Sequence, residues 1–87
     1  MEVIYRKRFV NKLEKLLRYI SDEFGEKGTI TFKNCLQNRL YTIKQFPESG
    51  HLTQQAGVRS AIAGKHIIIS YKIETQRLLF LICLICA

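Results

Sequence analysis

Three cysteines, two histidines and a handful of cations are the side chains here that could carry out chemistry. Cys83 and Cys86 sit at the Cys-x-x-Cys spacing that metal and redox sites use. Leu78–Cys86 is apolar at nearly every position and reads as a strand covered on both faces. Residues three apart on a strand point to opposite faces. A structural zinc site needs four ligands, and only Cys35, His51 and His66 remain to complete one. No metal and no cofactor is therefore expected, and the thiols are read as small buried hydrophobes. His66 suits a general base, because an unperturbed imidazole titrates at about 6.5. No partner acid for it is visible in the sequence. Lys65, Lys72 and Arg77 are placed to contact phosphates, or simply to solubilise hairpin ends.

The elements that must position these residues fit in one small domain, 1–87. Hydrophobic residues make up 47% of the chain, which suits a folded domain and excludes a disordered one. A net charge of +7 and a pI near 9.6 predict an acidic partner: nucleic acid, an anionic surface or an acidic protein. An odd cysteine count without framework spacing argues against a disulfide-stapled secreted module. Residues 1–20 alternate charge with apolar groups, unlike a signal peptide. Leu78–Cys86 is far shorter than the roughly 20 apolar residues that span a bilayer. The expected compartment is the cytoplasm, with no membrane contact.

Glu2–Tyr5 reads as a short strand. From Arg8 onward, Phe9, Val10, Leu13, Leu16, Leu17, Ile20 and Phe24 recur three or four apart, the spacing of one helix face. Gly25 and Gly28 bracket the stop. A second helix is expected over about Thr31–Gln45, ended by Pro47. Two helices joined by a short glycine-bearing turn predict an antiparallel helical hairpin. After Gly57 the period becomes two, predicting a three-stranded meander.

The register follows from the turns. A two-residue Gly64-Lys65 loop sets Ile62 opposite Ile67 and Val58 opposite Tyr71. A Glu74-Thr75 turn then sets Tyr71 opposite Leu78 and Ile67 opposite Ile82. One sheet face would carry Val58, Ile62, Ile67, Ile69, Tyr71, Ile73, Leu78, Phe80 and Ile82 and bury the helices. The other would present Arg59 and His66 beside Ala61, Ile68, Ser70, Leu79, Leu81 and Cys83, an apolar patch with sparse cations.

The ordered pieces resemble toxins of the RelE/ParE superfamily of bacterial type II toxin–antitoxin systems. The residues that carry the resemblance are Val3-Ile4-Tyr5, Leu16-Leu17-x-Tyr19-Ile20, Ile43-x-x-Phe46-Pro47-x-x-Gly50, Gly57-Val58-Arg59 and Ile67-Ile68-Ile69-Ser70-Tyr71-Lys72-Ile73. The resemblance implies an α+β fold, a helical hairpin packed on a mainly antiparallel sheet, and a toxin neutralised by a cognate antitoxin. Operator DNA would be reached only through the antitoxin, and the class admits a homodimer.

Two activities are known in the superfamily. RelE-like members cleave messenger RNA on the ribosome, which needs a base, cations and an acid at the scissile phosphate. ParE-like members poison DNA gyrase and carry no catalytic set. After Arg77 this chain has no charged residue, histidine or tyrosine, so the terminal acid/base of the ribonucleases is missing. The resemblance therefore points to ParE-like inhibition of gyrase, with Arg59, Ala61, Ile68, Leu79 and Leu81 as the antitoxin-binding candidates. Arg59 matches an arginine that the superfamily commonly carries on the first meander strand. The alternatives are a ribosome-dependent endoribonuclease with Arg59, Lys65, His66 and Arg77 as its candidate residues, or an inactive member.

Overall fold

The computed structural model describes residues 2–64 and 67–85. Its order is β1 (Glu2–Tyr5), α1 (Lys7–Gln45), a 3-10 turn (Pro47–Ser49), β2 (His51–Leu52), β3 (Val58–Ala63), β4 (Ile67–Glu74) and β5 (Arg77–Ile85). The apolar periodicity of the first half is answered by one continuous helical run that is interrupted once. A straight helix of its 39 residues would be about 58 Å long at 1.5 Å per residue, yet the longest dimension of the molecule is 39 Å.

The helical element breaks at Gly25, where φ is 70° and ψ is −163°, a region open almost only to glycine. Leu13 and Leu17 from before the break share a groove with Leu36 and Leu40 from after it, so the two arms lie side by side. The second arm begins at once rather than at Thr31. The Thr29 hydroxyl donates to the Gly25 carbonyl at 2.9 Å, across the first turn of that second arm. Helical structure ends at Gln45, just ahead of Pro47 as expected.

The sheet has five strands in the order β1-β5-β4-β3-β2. β1 runs parallel to β5 and the other pairs are antiparallel. β2 is too short to show an alternation, and the sequence gives no sign of it.

Both turns of the meander differ from expectation, with different consequences. Ala63 pairs with Ile67, so the β3–β4 connection spans 64–66 instead of Gly64-Lys65. That one-residue change exchanges the faces of β3. Arg59, Ala61 and Ala63 turn toward the helix, and Val58, Ser60 and Ile62 turn away. The β4–β5 turn is Thr75-Gln76 instead of Glu74-Thr75, with Gln76 at φ 59°. Here the pairing moves by two, which preserves the face, so Leu78 and Phe80 stay in the core.

Beyond Phe80 the register shifts, and Leu81 is the extra residue. The bulge brings Cys83 to the helix side opposite Ile69 and sends Ile82 to the other face opposite Ser70, reversing the expected places of both.

Phe9, Ile20, Phe32, Leu36 and Ile43 of α1 pack on Ala61, Ala63, Ile67, Ile69, Tyr71, Leu78, Phe80 and Cys83 of the sheet. At its centre Phe80 stacks on Tyr5 at 5.0 Å and tilts against Phe9 and Tyr71 at 5.6 and 6.0 Å. No described helix is long and apolar enough to cross a membrane.

Candidate functional site

The segment after α1 is fastened to the sheet by two side chains that point to the helix side. Tyr71, fully buried, accepts a hydrogen bond from the Gly50 N–H at 2.9 Å and donates to the Pro47 carbonyl at 2.7 Å. Arg59, beside it on β3, donates from Nη1 to the Glu48 and Gly50 carbonyls at 3.1 and 2.9 Å. Gly50 passes so close that a β-carbon there would meet the Tyr71 hydroxyl and the Ser60 carbonyl. The Phe46-Pro47-x-x-Gly50 run is thus the stretch that threads between helix and sheet.

The opposite sheet face has no helix on it. Pairing aligns Val58, Lys72, Leu79 and Ile4 in one row across it, and His51, Ser60, Ser70 and Ile82 in the next. Val58 and Leu79 are nonetheless buried, with the stem of Lys72 between them. Lys72 and Glu74 form an exposed pair at 4.0 Å, of a kind that contributes little. Toward the edges the apolar surface is bare, with Ile62 55% and Leu84 41% exposed.

A cavity of about 330 Å³ opens on this face. Its floor is Val58, Leu81 and Ile82, and its polar rim is Arg6, Arg8, Gln55 and Ser70. Arg6 and Arg8 flank the start of α1, whose first turn holds no acidic residue. An arginine never gives up its proton, and serine and glutamine do not titrate near neutrality. The lining can therefore bind an anion but offers no group to exchange a proton. His51 lies on the same face two strands from Ser70, about 10 Å away at the usual strand spacing of about 4.8 Å.

The structure separates the residues singled out from sequence. Ile68, Leu79 and Leu81 share the uncovered face. Arg59 and Ala61 do not, because the longer β3–β4 connection turns them to the helix side. Arg77 pairs with Glu74 and Glu2 at the far end of the sheet and lines a shallow polar cleft with Thr75 and Gln76. Lys65, His66 and Cys86 lie outside the described residues. Arg6, Arg8 and Gln55 escaped the sequence reading, although two arginines beside a helix start that holds no acidic residue were a visible sign. Among the described residues no group of three His, Cys, Asp or Glu side chains could hold a metal ion.

Cys83 is fully buried with its Sγ 3.8 Å from the Phe9 carbonyl. Burial pushes its thiol up to about 11, only partly offset by the backbone hydrogen bond and by Lys12. Because the folded value exceeds that of an unfolded thiol, near 8.5, Cys83 contributes stability that is whole below about pH 8.5 and lost as pH rises toward 11. At pH 8 an alkylating reagent should label half-buried Cys35 and spare Cys83, as read by peptide mass mapping. Labelling of Cys83 at the rate of the denatured chain would contradict its burial.

The whole fold, from β1 to β5, is shared with proteins of known structure. It superposes with a TM-score of 0.86 on a chain of the chromosomal ParDE toxin–antitoxin system from P. aeruginosa, at 10% identity, covering 100% of this chain and 97% of that one. A copper-bound mutant toxin from Helicobacter pylori matches at 0.68 and 14% identity, covering 95% of this chain and 91% of that one. A conserved hypothetical protein from the same organism, solved in solution, matches at 0.53 with the same identity and coverage. No curated protein sequence matches the chain. The model of the family described as the ParE toxin of the type II toxin–antitoxin system parDE matches residues 3–85, so the chain belongs to the ParE toxin family.

Proposed function

We propose that this ParE-family toxin arrests growth by protein–protein contact with DNA gyrase and is held inactive by a cognate antitoxin that covers the uncovered sheet face. The observation that carries this reading is the make-up of that face. It offers an apolar floor and fixed cations, which suit binding, while the described lining of its cavity offers no acid or base for cleaving RNA. Ile68 and Leu81, both partly exposed, serve as contact residues in this reading, whereas Leu79 lies too deep to be touched and supports them from beneath. Arg59 acts indirectly, by holding residues 48–50 at the rim of the sheet. The toxin works in the cytoplasm, and it reaches operator DNA through the antitoxin.

A supercoiling assay with purified gyrase tests the target. Added toxin should block supercoiling, and prior mixing with antitoxin should restore it. Unchanged supercoiling at saturating toxin, with growth still arrested in cells, would remove gyrase from the proposal. Message cleavage on programmed ribosomes would replace it with the endoribonuclease reading.

A further inference from the structure

The cavity on the uncovered face specifies more than a contact surface. Arg6 and Arg8 rim it together, and among the described residues neither has a carboxylate partner, the one ion pair being Lys72 with Glu74. Two guanidinium groups beside a helix start that holds no acidic residue form a local excess of positive charge that an incoming anion would relieve. The cavity floor is aliphatic, from Val58, Leu81 and Ile82. A ligand that fits is thus anionic at one point and apolar beside it.

Given the proposed mode of action by protein contact at this face, we infer that the cavity receives a carboxylate side chain of an extended acidic segment of a partner protein. Arg6 and Arg8 hold the carboxylate in charge-assisted hydrogen bonds, and an aliphatic neighbour of that carboxylate rests on Leu81 and Ile82. Ser70 and Gln55 supply neutral hydrogen-bonding groups at the rim for the partner's backbone. A nucleic-acid strand fits this site less well. Binding single strands relies on aromatic rings on which bases stack, whereas no aromatic ring lines the cavity among the described residues. The rings of Phe9, Tyr71 and Phe80 are engaged with one another in the core, and Tyr5, partly exposed beside them, stacks on Phe80.

The test uses the whole chain and a fluorescently labelled peptide of alternating leucine and glutamate, measured by anisotropy. Two competitors accompany it: the same peptide with glutamine for glutamate, and a single-stranded RNA of equal charge. The glutamate peptide should bind roughly tenfold or more tightly than the glutamine peptide, and binding should weaken as salt is raised. Arg6→Gln with Arg8→Gln should remove that preference, and Arg8→Gln alone should reduce it while leaving the melting curve unchanged. Equal binding of both peptides, or a preference that survives the double substitution, would overturn the inference. RNA that competes through the same two arginines would assign the cavity to phosphate instead. Failure here leaves gyrase inhibition intact if supercoiling is still blocked. Arginine-dependent peptide binding without effect on supercoiling would remove only the gyrase target.

Discussion

Replacing Tyr71 with phenylalanine should lower the stability of the domain by about 2–3 kcal/mol, although the ring and its packing are retained. The hydroxyl stands between two backbone groups, the Gly50 N–H and the Pro47 carbonyl, and bridges them. Its loss leaves the buried Gly50 donor without that partner. An unpaired buried donor costs its full desolvation, about 1–3 kcal/mol, whereas the half-accessible Pro47 carbonyl regains water and costs less. Arg59 cannot compensate, because it offers only donors and already bonds the Glu48 and Gly50 carbonyls. The urea midpoint should therefore fall by roughly 1–2 M with an unchanged slope. A midpoint within about 0.3 M of the parent would show that these bonds do not hold the segment. Gly50→Ala attacks the same contact from the other side and should act in the same direction, since its β-carbon would collide with the Tyr71 hydroxyl.

The contact also shows where sequence reading succeeded and where it stopped. The helical periodicity, the stop before Pro47 and the alternating strands were all legible, because each is a local pattern with one physical solution. Arg59 was legible as important but not in its role. Its orientation depends on whether the β3–β4 connection holds two residues or three, and alternation of Val58, Ser60 and Ile62 against Arg59, Ala61 and Ala63 does not decide between them. Both sets contain apolar residues small enough to face either way. The pairing decides by placing Ala61 and Ala63 under α1, where larger side chains would not fit as closely.

The bulge at Leu81 was hidden for a related reason. In a strand apolar at nearly every position, moving Cys83 inward and Ile82 outward changes no visible pattern. The N-terminal arginines, by contrast, needed the third dimension. Arg6 and Arg8 meet Ser70 and Ile82 only because β1 lies parallel beside β5, a pairing across the whole length of the chain.

That same pairing makes Phe80 the residue that joins the core to the start of the cavity rim. Phe80 pairs with Tyr5 on one side and Tyr71 on the other, and Phe9 closes over it from α1. Its ring is fully buried. Phe80→Ala should cost about 3–5 kcal/mol, because the void lies among rings that cannot collapse into it without breaking their own contacts. A domain of this size has only about 5–15 kcal/mol in all, so the melting temperature should drop by roughly 15–30 °C.

The functional consequence follows from position. Tyr5 loses the ring it stacks on, and Tyr5 leads directly into Arg6, whose N–H bonds the Phe80 carbonyl at 2.9 Å. The cavity rim should loosen with the core, and growth arrest should weaken even at temperatures where the chain remains mostly folded. Phe80→Leu is the matched control, since it refills most of the volume. It should recover most of the stability and most of the arrest. Full toxicity from Phe80→Ala at the expected lower stability would show that the cavity does not depend on this core, and a melting point within a few degrees of the parent would refute the packing argument itself.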